Sequence, residues 1–411
     1  MVAPRPTALV LGAGFQGVCS ALALNSRGYR VTLVDQAQHC MSRASGRNEA
    51  KIHLGIVYAN DESFRTASLM LDASLAFAPL LESWLGRALD WGALRSRPFL
   101  YGAMPDSLLS FDKLCEFYSR VESAYRERLR EGSYLGLRPK RLWRPLPPSE
   151  RPGWLAPDQL TGLVETAEVA LDLERLRGEL VAGLESAEGV TTEYGIRVAR
   201  VARTSSGFRV SGVRPPGDPW AREADIVVNC LWEGRLKLDQ SMEIRPDRSW
   251  VYRLKYRVLG ELPATLRDMA SLTLVLGPYG DIVTHEAAPA YFSWYPACMR
   301  GWSDELTPPE AWNADCEGAS SQSRRADVAR ETLAALDRIV PGLTETRVRT
   351  VDAGVIFSWG QSKRDVDDPR SELHERHAIG VHAHDGYFSI DTGKFTCAPL
   401  FASRLLEALD R

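Results

Sequence analysis

The stretch that most limits what this chain can fold into is residues 8–35, ALVLGAGFQGVCSALALNSRGYRVTLVD. A short apolar run ends at Gly12, as a buried parallel strand does. Gly12, Gly14 and Gly17 then give the spacing G-x-G-x-x-G. The first glycine permits a tight turn, the second lets backbone N–H groups approach a pyrophosphate, and the third lets the helix sit close to the sheet. Val18, Ala21, Leu22 and Leu24 supply an apolar helical face, and Gly28 is placed to end the helix. Residues 30–35 read as the next strand. Their last residue, Asp35, stands where a carboxylate accepts hydrogen bonds from ribose hydroxyls. The expectation is a dinucleotide site in an α/β domain. The motif does not separate NAD from FAD, and an acidic residue with no arginine directly after it argues against NADP.

The rest of the composition removes several alternatives. The 411 residues are long enough for more than one domain, and the net charge of −3 gives no basic excess for nucleic acid or an anionic membrane. Seven scattered cysteines form no C-x-x-C pair. That argues against a disulfide framework or a zinc site, and no metal is expected. The first residues run straight into the glycine motif, and no apolar run reaches the length of a membrane span. A cytoplasmic protein is therefore expected.

Residues 40–61, CMSRASGRNEAKIHLGIVYAND, follow the second strand. A nicotinamide domain would usually continue with a helical pattern there, whereas this stretch is small and polar, then alternating apolar. Here the chain resembles the D-amino-acid-oxidase-like superfamily of FAD-dependent oxidoreductases. It is most similar to the branch holding L-2-hydroxyglutarate dehydrogenase and FAD-dependent glycerol-3-phosphate dehydrogenase. Ser45, Gly46, Asn48, Ile52, His53 and Gly55 match that branch's segment after the second strand, and Gly393, Lys394, Phe395 and Thr396 match its carboxyl-terminal Gly-Lys-Leu/Phe-Thr. The resemblance implies an FAD whose pyrophosphate is wrapped by the first segment, with His53 near the flavin ring, and whose ring is closed over by the second. It further implies that Phe15, Gln16, Gln36, Ser42, Val198, Cys230 and Gly354 lie beside the cofactor, Val198 offering backbone atoms to the adenine. Independently of it, Thr396 is placed to N-cap a helix over residues 398–409, whose positive end would face the ligand. Cys230, Leu231 and Trp232 depart from the family's Ala-Ala-Gly.

The implied fold is a Rossmann-like FAD-binding domain interleaved with a mixed or antiparallel sheet that roofs the flavin. Residues 1–90, 155–235 and 350–411 are expected in the FAD-binding part, and 91–154 and 236–349 in the roof. Residues 190–213 read as alternating strands with a turn, residues 138–153 as a Pro-rich loop, and residues 364–368 as a solvated loop.

His53 is the first candidate for proton transfer, because its reference pKa is near neutrality. Lys51 and Arg47 are nearby cations that would lower its pKa, bind an acidic substrate or contact phosphate. A strand over residues 50–53 would put Lys51 and His53 on one face. In the roof, residues 250–255 alternate Trp250, Tyr252 and Leu254 with Val251, Arg253 and Lys255. The basic face suits a carboxylate or phosphate, or a solvated edge. Tyr252, His285 and Tyr295 are the candidate substrate contacts. The leading expectation is an oxidase or dehydrogenase that moves a hydride from a CH–OH or CH–NH group of a small anionic metabolite to flavin N5. An NAD-dependent dehydrogenase, and a flavoprotein whose FAD is structural in a partner or binding subunit, are the alternatives. The sequence leaves the electron acceptor open.

Overall fold

A computed structural model describes residues 5–129, 133–360 and 375–410. The loop expected around Arg364, Asp365, Asp367 and Asp368 lies outside them.

Six strands form one sheet in the order Gly380–His384, Tyr387–Asp391, Ile226–Asn229, Thr7–Leu11, Arg30–Val34, Val190–Glu193. All neighbours are parallel except the first pair. Thr7–Leu11 is central and buried beyond its first residue, as its apolar run requires. Arg30–Val34 flanks it on one side, and Ile226–Asn229, from far along the chain, on the other. This reversal of strand order opens a crevice beyond the carboxyl ends, where Leu11 is level with both Val34 and Asn229.

The glycines act as their spacing implies. Gly12 has φ +97°, and a Cβ there would lie 2.7 Å from the Cys230 carbonyl oxygen. The helix Phe15–Ser26 starts at once, and a Cβ on Gly17 would fall 1.7 Å from the Gly12 carbonyl oxygen. Only glycine lets this helix sit so close to the turn. The strands Arg197–Thr204, Gly207–Arg214 and Asp218–Ala224 form the expected meander, while Val190–Glu193 joins the six-stranded sheet instead. Val201, Val210 and Trp220 of the meander bury Leu9 and Leu11 on one face of the sheet.

The second large sheet has nine strands. Its spine is the antiparallel pair Trp250–Glu261 and Arg347–Trp359. Tyr252, Leu254, Tyr256 and Val258 pack with Val328, Leu333 and Leu336 of the helix Gln322–Asp337. Strand alternation therefore turns Arg253 and Lys255 to the opposite face. They are only 7% and 8% exposed, so the basic face is no solvated edge. The sheets also divide the chain differently from the expected ranges. Gly162–Thr166 pairs with Phe99–Ala103, and Arg347–Trp359 with Trp250–Glu261, so both belong to the roof. Within the Pro-rich 138–153, Trp143–Pro145 forms an edge strand on Gly162–Thr166. Among the described residues no helix is long and apolar enough to cross a membrane.

The Gly17→Ala variant is expected to lose about 1–3 kcal/mol of stability through this overpacking. A chemical-denaturation midpoint equal to wild type would refute the close-packing account.

Candidate active site

The loop after the second strand is folded by its own polar side chains. Asn48 Nδ2 donates to the carbonyls of Ala44 and Ser45, each at 2.9 Å, and its Oδ1 accepts the Ala50 N–H at 2.7 Å. Ser45 Oγ accepts the Phe15 N–H at 2.9 Å, so this loop supplies a cap that Gly14 cannot. Gly46 sits against the Met41 carbonyl, 2.4 Å from where its Cβ would be. Asp35 Oδ2 accepts the Ala13 N–H at 2.6 Å and Oδ1 the Ala37 N–H at 2.8 Å. Burial nevertheless pushes the Asp35 carboxyl above its ordinary value.

The two ends of the chain meet at this loop. Phe15 and Phe395 stack at 4.2 Å between ring centroids and 14° between planes. Gln16 Nε2 donates to the Ala398 carbonyl at 3.2 Å, and Thr392 Oγ1 donates to Gln16 Oε1 at 3.2 Å. Thr396 does not cap the last helix. Its Oγ1 accepts the His53 N–H at 3.0 Å and donates to the Lys51 carbonyl at 3.2 Å, tying the terminal motif to the short strand Lys51–Ile52. The last helix, Ala398–Leu409, begins after Cys397.

One continuous cleft results. It runs from Asp35, Gln36 and Ser42 past Gly12, Gly14, Phe15, Gln16, Ser45, Asn48 and Cys230. It ends among His53, Lys51, Lys255, Tyr295, Gly354, Gly393, Lys394 and Phe395. The glycines keep it open, because a Cβ on Gly14 would come 3.0 Å from Ser45 Oγ and one on Gly354 3.4 Å from Arg47 Cβ. A long cleft with a helix N-terminus and capped turn midway, and ammonium groups at one end, fits an FAD.

Residues 7–403 match the family described as FAD dependent oxidoreductase. The chain belongs to that family. Among curated proteins it is similar to the FAD-dependent monooxygenase FPY4 of Fusarium mangiferae, 23% identical over 279 residues, which cover 67% of this chain and 60% of that one. The chain thus spans less than two thirds of that relative's length. Among solved structures it is similar in fold to glycine oxidase from Geobacillus kaustophilus, at TM-score 0.68 and 16% identity over 99% of this chain and 95% of that one. It is also similar to L-proline dehydrogenase from P. horikoshii (0.67, 12%, 98% and 93%). L-alpha-glycerophosphate oxidase from Mycoplasma pneumoniae, solved with FAD bound, shares the fold as well (0.65, 14%, 99% and 95%). The cofactor of this oxidoreductase is FAD, and the NAD alternative falls.

Not every residue expected at the site of this oxidoreductase reaches the cleft. Gly17, Gly46 and Thr396 shape it from behind. Val198 lies in the meander outside it, while its neighbour Arg197 lines an adjoining cleft shared with Gln36, Ser42 and Arg47. Arg47 does line the main cleft as well as the adjoining one, and its guanidinium pairs with Asp352 at 3.3 Å. Lys51 is not free for an acidic substrate, because its Nζ donates to Thr273 Oγ1 at 2.5 Å and Asp281 Oδ1 at 2.9 Å. Tyr252 faces the roof helix, its ring 5.3 Å from that of Phe357, so strand parity takes it away from the cleft. His285 lies outside the cleft, where burial pushes it below its ordinary value and Asp172 acts against that. Among the described residues no cluster of metal-ligating side chains exists.

The sequence reading missed Glu168, which is fully buried between two strands. It accepts the Leu54 N–H at 2.6 Å and the Tyr101 hydroxyl, and faces His53 Nδ1 at 3.8 Å. Burial pushes the Glu168 carboxyl up, but His53, Lys51 and Tyr101 outweigh it and hold it below its ordinary value. Burial likewise holds the His53 imidazole below its ordinary value, with Glu168 acting against that. Lys394 is lowered to about 8, first by burial and then by Arg376.

Two outcomes are expected. Asp35→Ala should weaken FAD retention by about 1.5–3 kcal/mol, the worth of charged hydrogen bonds. Full flavin absorbance after prolonged dialysis would contradict this. Asp281 is buried, which pushes its carboxyl up, but Lys51 and Lys255 outweigh that and lower it from 3.8 to about 2. The stability it contributes is present above pH 4 and lost as pH falls toward 2. Asp281→Asn should cost about 3–5 kcal/mol near neutrality by stranding Lys51, and should flatten the loss of stability in that acid window, both read by denaturant unfolding.

Proposed function

We propose that this protein oxidises a CH–OH or CH–NH group of a small anionic metabolite. FAD, when bound, supplies the two-electron acceptor that takes a hydride at N5. The observation that carries the reading is the shared cleft end of His53, Lys255 and Lys394. An imidazole held neutral by burial accepts the proton from the substrate's oxygen or nitrogen. Glu168 is a positioning residue in this scheme. Its carboxylate at 3.8 Å favours the tautomer with the proton on Nδ1, leaving Nε2 as the base.

The ammonium groups support an anionic substrate. Lys255 Nζ lies 4.4 Å from the ring centroid of Tyr295 and 5.9 Å from that of Tyr291. A carboxylate or phosphate entering this enclosed end meets a cation that no acidic side chain already holds in an ion pair among the described residues. Lys394, with the first turn of the helix Ala398–Leu409, supplies positive charge where a reduced flavin ring is electron-rich. Asp35, Gln36, Ser42, Ser45 and the Gly12–Gly14 turn hold the nucleotide tail, and a cytoplasmic setting fits the scattered free cysteines.

Anaerobic addition of small hydroxy acids and amino acids to the FAD-loaded protein tests this. Bleaching of the flavin absorbance by one of them is expected. An FAD that none of them reduces would favour a structural flavin instead. His53→Ala should keep its FAD yet slow the reduction by about 10²–10⁴-fold, the usual worth of a general base. Unchanged reduction kinetics would remove His53 from the reaction.

A further inference from the structure

Glu49 is the one acidic side chain at the His53 end of the cleft that the proposed reaction leaves without a task. It lines that end with Lys255, Tyr291, Tyr295 and Lys394. Among the described residues its carboxylate has no hydrogen bond and no ion pair within 4.0 Å. None of the ammonium groups around it forms an ion pair with it. Lys51 is bound to Asp281 at 2.9 Å, Lys255 stands over the Tyr295 ring, and Lys394 Nζ is 5.7 Å from the Tyr58 ring centroid. Burial pushes the Glu49 carboxyl up, but Lys255, Lys394 and Lys51 outweigh it and hold it below its ordinary value, with Asp281 opposing them. Near neutrality it stays a carboxylate.

An enclosed wall that presents one carboxylate and two ammonium groups, none in direct contact with another, has a dipolar ligand as its complement. The ligand's acid group goes to the lysines and its positive group to Glu49 and the neighbouring ring faces. The positive group is not the nitrogen that is oxidised. An oxidised nitrogen must first lose a proton, so that its lone pair can stabilise the carbon giving up hydride. A neighbouring carboxylate that stays ionised keeps a nitrogen protonated and opposes that loss.

We infer that Glu49 forms a subsite for a non-reacting cation, so that the substrate is a small acid carrying an ammonium or quaternary nitrogen apart from the carbon that is oxidised. This rests on the reading of the His53 end as the substrate site. It narrows the substrate class beyond an anionic metabolite.

The test is a flavin difference-absorbance titration of the FAD-loaded protein. The probes are straight-chain carboxylates of about four to six carbons, with their terminal amino and trimethylammonio derivatives. At one chain length or more, both cationic derivatives should bind about tenfold more tightly than the parent acid, which is the worth of about 1.4 kcal/mol. In Glu49→Gln that preference should fall to near unity, while the parent acid, now facing one anion fewer beside the lysines, should bind at least as tightly as in wild type. Glu49→Asp should retain part of it. A wild-type protein that binds the parent acids and gains nothing from the cation overturns the subsite alone, as does a preference that survives in Glu49→Gln. If neither series perturbs the flavin, the anion site of the proposed function falls with it.

Discussion

The structure depends on the docking of its last motif onto its first. Residues 392–398 reach back across almost the whole chain to the helix that the glycine turn launches. The contact has an apolar part, the Phe15–Phe395 stack, and a polar part, the bonds of Gln16 to Thr392 and to the Ala398 carbonyl. Phe77 joins the rings at 5.7 and 6.2 Å, so the helix Arg65–Leu85 is held in the same cluster. Aromatic pairs of this kind contribute about 0.5–1.5 kcal/mol each beyond area burial. The polar part gives direction. Thr396 spends its one donor and an acceptor on the Lys51–His53 backbone, which sets where the His53 ring stands relative to Lys394.

From that joint the roof follows. The Lys51–Asp281 pair crosses from the short strand to the large sheet, with Thr273 bonded to both partners. A buried ion pair adds little net stability over an apolar pair, but breaking it leaves a stranded charge. Its consequence is positional, since it ties the short strand to the point of the roof sheet where Thr273 and Asp281 stand level. That placement brings Lys255, level with Gly354 on the neighbouring strand, to the end of the cleft.

What the sequence made legible was local. The glycine turn, the Asn48 loop and the Gly393–Thr396 segment are contiguous motifs whose geometry follows from their own residues. The period-two alternation of residues 250–255 also separated two faces correctly. It could not say which face looked inward, because that is decided by the helix Gln322–Asp337 packing on Tyr252 and Leu254. Tyr252 was therefore expected at a site that Lys255 occupies. Glu168 was invisible for the same reason. Its partner His53 is more than a hundred residues away, and nothing in its neighbourhood marks it as a ligand of anything. Lys51 read as a free cation because Asp281, 230 residues on, gives no signal at that distance.

The charge balance at the closed end of the cleft also explains why its cations stay charged. Five basic groups approach one another there, namely Lys51, Arg253, Lys255, Arg376 and Lys394. Burial lowers both Arg253, to about 10, and Lys394, to about 8. Asp281 and Glu49 offset part of that, and the rings of Tyr291 and Tyr295 face Lys255. Under the proposed function a bound anion would relieve the remaining positive charge, and the same side chains would steady a reduced flavin. On that proposal, affinity for acids and ease of flavin reduction would rise together, and a substitution that removes one ammonium would weaken both.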